Sequence, residues 1–142
     1  MYEHILIAFD LGYEEQLPLL IAPARRLLGK RRGKIHFLYV DESQVHHATY
    51  PILDEENAKR QQTIALYRLK SLISQYVPEQ QQGECMVKHG HADERILEIE
   101  KKIKPDFIVM MAGKPGLGQY FMGANTNKVV RHAKSSVIII RP

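Results

Sequence analysis

One cysteine, Cys85, is all the thiol that this chain of 142 residues carries. An internal disulfide is excluded, and a lone thiol fits a reducing compartment. Long apolar runs are missing too. Nothing approaches the roughly eighteen uninterrupted apolar residues that read as a membrane span. The opening Met1-Tyr2-Glu3-His4 carries an acid and runs straight into an apolar stretch, unlike a secretory leader. The expectation is a cytoplasmic protein without signal peptide or membrane contact. Charge of one sign is scarce, at a net +4, and much of the basic excess is gathered in Arg25, Arg26, Lys30, Arg31, Arg32 and Lys34. No aromatics are interleaved with that patch and no helix-turn-helix or RNA-binding signature accompanies it, so nucleic acid is not an expected partner. The plainer reading is a solvated helix end whose cations complement the helix dipole. With 44% hydrophobic and 25% charged residues the composition is ordinary. A chain of this length is read as one domain, 1–142, able to bury roughly 68–70% of its unfolded surface.

What is present is an alternation. Ile5 to Phe9, Ile35 to Val40, Cys85 to Lys88, Phe107 to Ala112 and Val137 to Arg141 read as short strands. The six-residue run from Phe107, between Pro105-Asp106 and Gly113, suits a strand buried on both faces. Cys85 to Lys88 suits an edge, because Glu84 and Lys88 flank it with charge. Between the strands lie helical patterns. Leu17, Leu20, Ile21, Ala24, Leu27 and Leu28 form one apolar stripe, ended by Gly29 or Gly33, and Pro23 is expected to kink that helix. Asp54 to Tyr76 carries a second stripe of Ala65, Leu69, Leu72, Ile73 and Tyr76. A third helix follows Gly90, with Asp93 expected to help cap it and Ile96, Leu97, Ile99 and Ile103 facing inward. A fourth opens at Gly123 to Asn127 and runs through Val129-Val130-Arg131-His132-Ala133. Strands alternating with helices in this way predict an α/β fold, one open parallel sheet covered on both faces.

In such sheets ligands sit beyond the carboxyl ends of the strands, where strand order reverses. Asp10, Val40, Asp41 and the Gly113 loop are the groups expected there. The familiar nucleotide motifs are absent. Leu11-Gly12-Tyr13 after the first strand supplies neither a dinucleotide glycine fingerprint nor a flavodoxin Ser/Thr loop. Gly113-Lys114 is followed by Pro115, which excludes a P-loop. Asp10 stands without the second acid of a receiver domain. The remaining feature is the glycine-bearing stretch Gly113-Lys114-Pro115-Gly116-Leu117-Gly118, which leads through Gly123 into the last helix. It aims backbone N–H groups and a helix dipole at the enclosed space, which suits an anion such as phosphate. The same glycines could be plain turn residues, and Asp10 could merely cap a turn. His46-His47 and His89-Gly90-His91 lack metal-ligand spacing and read as solvated loop histidines. Cys85 reads as a small structural side chain.

Ile5-Leu6-Ile7-Ala8-Phe9-Asp10, His36-Phe37-Leu38-Tyr39-Val40, Gly90 before Asp93-Glu94-Arg95-Ile96-Leu97, the Gly113 loop, and Gly123-Ala124-Asn125 leading into Val129-Val130-Arg131-His132-Ala133 together resemble the universal stress proteins, with the F-type branch nearest. The resemblance implies a five-stranded parallel sheet of order 3-2-1-4-5, of the Rossmann-like kind found in adenine nucleotide alpha hydrolases, and a homodimer paired through Val137 to Arg141. It implies an adenine nucleotide, ATP or a relative with or without Mg²⁺, held by Ala8, Phe9, Asp10, Val40, Ala112, Gly113, Lys114, Gly116, Gly123, Ala124, Asn125 and Thr126. In that likeness Asp10 lies by the adenosine, Val40 lies near the adenine, and Gly113, Gly116 and Gly123 match the nucleotide loop. Two departures stand out. Only six residues separate Gly116 from Gly123, three fewer than in the ATP-binding branches, and Ala124 replaces a phosphate-binding hydroxyl. One hydrogen bond to a charged group contributes roughly 1.5–3 kcal/mol, so its loss weakens nucleotide binding on the order of ten- to a hundred-fold. Thr126, Asn125 or Lys114 could compensate. No nucleophile and base converge on the loop, and Asp10 is the sole candidate base. The alternatives to a nucleotide-binding signalling protein are a nucleotide-free interaction module acting through its dimer surface and basic patch, and a slow ATPase.

Overall fold

The computed structural model describes residues 3–30, 32–42, 55–113 and 123–142. Arg31, His46, His47, Tyr50, Pro51, Lys114 and Gly116 fall outside the described residues. Five strands, β1 His4–Phe9, β2 Lys34–Asp41, β3 Gln82–His89, β4 Phe107–Met111 and β5 Ser136–Ile140, alternate with four helices, α1 Leu17–Leu28, α2 Glu55–Tyr76, α3 Ala92–Ile103 and α4 Ala124–His132. The strands form one parallel sheet of order β3-β2-β1-β4-β5, the order expected from the resemblance.

The central strands read as continuous apolar runs because both of their faces are covered. Ile5, Ile7 and Phe9 of β1 pack with Ile35 and Phe37 against α1 and α2. Leu6 of β1, Leu38, Ile108 and Met110 face the other way, against Ile96 and Ile99 of α3 and Val129 of α4. The side-chain alternation of a strand thus divides the core into two clusters, one on each face of the sheet.

α1 keeps Pro23 inside its span, Leu17–Leu28, and several other expectations are corrected. The carbonyl that Pro23 leaves without an amide belongs to Leu19, a residue that is 45% exposed. Gly29 ends the helix at φ 66°, a left-handed conformation that favours glycine. Leu11 to Gln16 forms 3-10 structure. β3 begins at Gln82, three residues ahead of the apolar signal, because an edge strand needs no apolar residues to continue its ladder. On α2, Tyr76 is 39% exposed and Val77, at 3%, takes its place in the core. On α3, Ile96 and Ile99 are buried while Leu97 and Ile103 are half-buried. The N-cap of α3 is His91, and Asp93 pairs instead with Lys128 of α4 at 3.6 Å.

Candidate functional site

In this strand order the reversal falls between β1 and β4, and a cavity of about 270 Å³ opens there. The end of β1 supplies Ala8, Phe9 and Asp10 to its wall, β2 supplies Leu38 and Val40, and β4 supplies Met110 and Met111. Gly113 follows β4, and Gly123, Ala124, Asn125 and Thr126 open α4 from the opposite side. The inner wall is apolar, with Leu20, Leu38, Val40, Ile96 and Met110. The outer wall is backbone and short polar side chains. That division suits a ligand with one flat apolar end and one polar end.

Each polar group at the mouth has a definite position. Asp10 is exposed, and its Oδ1 accepts the Gly12 amide at 2.8 Å, so this carboxylate caps the 3-10 segment as well as facing the cleft. The first intrahelical hydrogen bond of α4 runs from the Asn127 amide to the Gly123 carbonyl, 3.0 Å. The amides of Ala124, Asn125 and Thr126 therefore precede the helical ladder, where an anion is favoured. The Gly123 amide, expected to join them, donates to the Ala112 carbonyl at 2.8 Å. Ala112 is buried, does not line the cavity, and gives its own amide to Ile140 at 2.9 Å. It ties the helix start to the sheet.

Two of the three proposed substitutes for a phosphate-binding hydroxyl, Thr126 and Asn125, are also committed elsewhere. Thr126 is 4% exposed and its Oγ1 donates to the Met111 carbonyl at 3.1 Å. Asn125 donates Nδ2 to Oε1 of Glu42 at 3.0 Å. Glu42 is the residue that sequence reading passed over. It follows β2, lines the cavity, and also accepts the Ala92 amide of α3 on Oε2 at 3.4 Å. The only signal for it was an acid directly after a strand end. Tyr13, Gln16 and Ala92, also in the wall, gave no signal at all.

Two carboxylates act on Tyr39 at this end of the sheet. The Tyr39 phenol is pushed up to about 12, first by burial and then by the Asp41 and Asp10 carboxylates. Among the described residues no cluster of three or more His, Cys, Asp or Glu side chains could hold a metal ion. His89 Nδ1 is bonded to Gln62 Nε2 at 3.0 Å, and His91 caps α3 by position only. Burial pushes the Cys85 thiol up, which leaves it a poor nucleophile. No helix among the described residues is long and apolar enough to cross a membrane.

Known proteins share this architecture. Universal stress protein G of Shigella flexneri is 22% identical over 143 residues, spanning 99% of this chain and 100% of that protein. Of the solved structures, universal stress protein UspA from Lactobacillus plantarum superposes with a TM-score of 0.69 at 19% identity, over 99% of this chain and 98% of that one. A universal stress protein in complex with cAMP gives 0.61 at 13% identity, over 98% and 96%. An Arabidopsis thaliana family protein with AMP bound gives 0.56 at 19%, over 97% and 90%. The sequence model of the Universal stress protein family matches residues 1–141, and this chain belongs to that family.

Proposed function

We propose that this chain binds an adenine nucleotide, ATP or a relative, in the cleft between β1 and β4, as a cytoplasmic homodimer with a signalling or stress-tolerance role. The observation that carries the reading is the cavity itself. An apolar slot beside Val40 and Ala8 suits a purine, and the amides that open α4 suit an anionic tail. The relatives that hold cAMP and AMP support the same class of ligand. Lys114 and Gly116 belong to this proposal by sequence.

The interaction-module alternative leans on the basic patch, yet part of that patch has structural work. Arg25 Nε donates to Gln81 Oε1 at 3.0 Å, and Lys34 Nζ donates to the Gln80 carbonyl at 2.9 Å. These bonds tie α1 and β2 to the segment that enters β3. A slow ATPase would rely on Asp10 as base, and that carboxylate is already held by the Gly12 amide.

Calorimetric titration with AMP, cAMP and ATP tests the proposal. Saturable binding is expected, weakened in Gly123→Val, because a Cβ at Gly123 already lies 3.6 Å from the Gly113 Cα and added methyls crowd the entrance. No heat from any of the three at millimolar concentration overturns it.

A further inference from the structure

Of the polar side chains buried among the described residues, His36, Gln81, Asp93, Glu100 and Thr126 each meet a hydrogen-bonding or charged partner. Gln16 is the exception. It is 8% exposed, and no hydrogen bond from another described residue reaches its carboxamide. It stands at the N-cap position of α1 and makes no capping bond there. Its side chain lines the cleft instead. Buried amides are normally bonded, because an unpaired one carries the full loss of its bonds to water. The position of Gln16 selects what it meets. Ala8 and Val40, beside which a purine fits, belong to the α3 and α4 side of the sheet. Phe9 and Leu20 belong to the α1 and α2 side, and Gln16 enters the cleft on that side with α1.

We propose that Gln16 reads the sugar of the ligand through its 2′- and 3′-hydroxyls, so that the cleft prefers adenine ribonucleotides to their deoxy counterparts. The inference rests on the adenine-ligand reading and adds a residue to it. A base in the slot beside Val40 and an anion at the start of α4 leave the sugar as the part that turns toward α1. A carboxamide suits a vicinal diol, because it offers an acceptor and a donor side by side and each hydroxyl can play either role. A phosphate would meet one donor and one repelling oxygen there. Discrimination follows from burial. An analogue without the hydroxyls leaves the amide unpaired, and sites built around a hydroxyl reject such analogues.

The experiment compares the full chain with Gln16→Leu, which keeps the bulk of the side chain without its amide. AMP and ATP, each beside its 2′,3′-dideoxy form, are titrated calorimetrically, and both ligand-free proteins are melted. The wild type is expected to hold at least one ribonucleotide about tenfold more tightly than its dideoxy form. Gln16→Leu is expected to lose that preference to within about twofold, with dideoxy affinity unchanged. It should also melt no lower than the wild type, since no bond within the fold is removed. A clearly lower melting temperature shows that the amide serves the fold, and overturns the assignment. A wild type without the preference, a preference that survives Gln16→Leu, or an equal loss of both sugar forms also overturns it. Each of these leaves the adenine reading in place. Failure of all four ligands to bind the folded wild type overturns the adenine reading and takes the assignment with it.

Discussion

At Gly83 the edge strand passes so close to the His36 ring that a Cβ would lie 2.6 Å from Nδ1, 2.8 Å from Cε1 and 3.0 Å from the Ile35 carbonyl oxygen. The β2–β3 register shifts at this point, between Ile35 and Phe37. His36 is 7% exposed, so its ring has little room to yield. Gly83→Ala is expected to destabilise the fold by about 1–3 kcal/mol in urea denaturation. Burial disfavours the charged form of His36 itself. The Glu84 amide donates to Nδ1 at 3.0 Å, so the ring hydrogen is on Nε2, facing Nδ1 of His4 at 3.1 Å. The two rings stack with centroids 5.3 Å apart. Burial, followed by the nearby His4, holds the His36 pKa below its ordinary 6.5, while Glu84 opposes the shift. The native protein thus binds fewer protons here than the unfolded chain. Its contribution to stability is complete above the unfolded value of about 6.5 and is lost as pH falls from there through the lower native value. Urea midpoints taken between about pH 7.5 and 5 should fall in the wild type and fall less steeply in His36→Gln; parallel slopes would remove His36 as the cause.

At the level of elements, α3 does more than cover the sheet. Glu100 near its end is 5% exposed, and accepts the Lys134 amide at 3.2 Å and the Ser135 amide at 2.8 Å. Ser135 Oγ completes the clasp by donating to the Pro105 carbonyl at 2.8 Å. The segment entering β5 is therefore held by a carboxylate from a helix more than thirty residues earlier. Glu100→Ala strands both amides, and a loss of about 2–4 kcal/mol is expected by chemical denaturation, with Glu100→Gln milder because one acceptor remains. Equal and negligible losses would show that water replaces the clasp. This contact also marks the limit of sequence reading. Ile96 and Ile99 announced the buried face of α3 by helical period, whereas Glu100 looked like any surface acid. Glu42 was hidden in the same way, since its partners Ala92 and Asn125 become neighbours only when three strand ends meet. Thr126 was legible as a helix-start hydroxyl, but nothing in the chain showed that Met111 would claim its hydrogen. Local period reveals which residues are inside; polar clasps depend on distances the fold creates.

For the whole molecule, the parallel sheet was legible because its inner strands are buried on both faces and cannot alternate with polar residues. Strand order came from the likeness to a family, not from the apolar runs. An open sheet leaves two edges, and here they differ in character. β3 carries Glu84 and Lys88, the charged kind of edge that discourages a further strand. β5 presents Val137, Ile138, Ile139 and Ile140, all only half-buried. Side chains of that kind still expose apolar area that a second copy could cover, so pairing of two chains is expected at β5 through Val137 to Arg141. Light scattering on the eluting protein should then return twice the chain mass. Ile139→Lys should return the single mass with an unchanged circular dichroism spectrum, because a half-buried lysine can carry its ammonium to water at an edge. Glu84→Lys on the opposite edge should leave the double mass intact. A dimer that survives Ile139→Lys would place the contact elsewhere on the molecule, and the apolar edge of β5 would then need another cover.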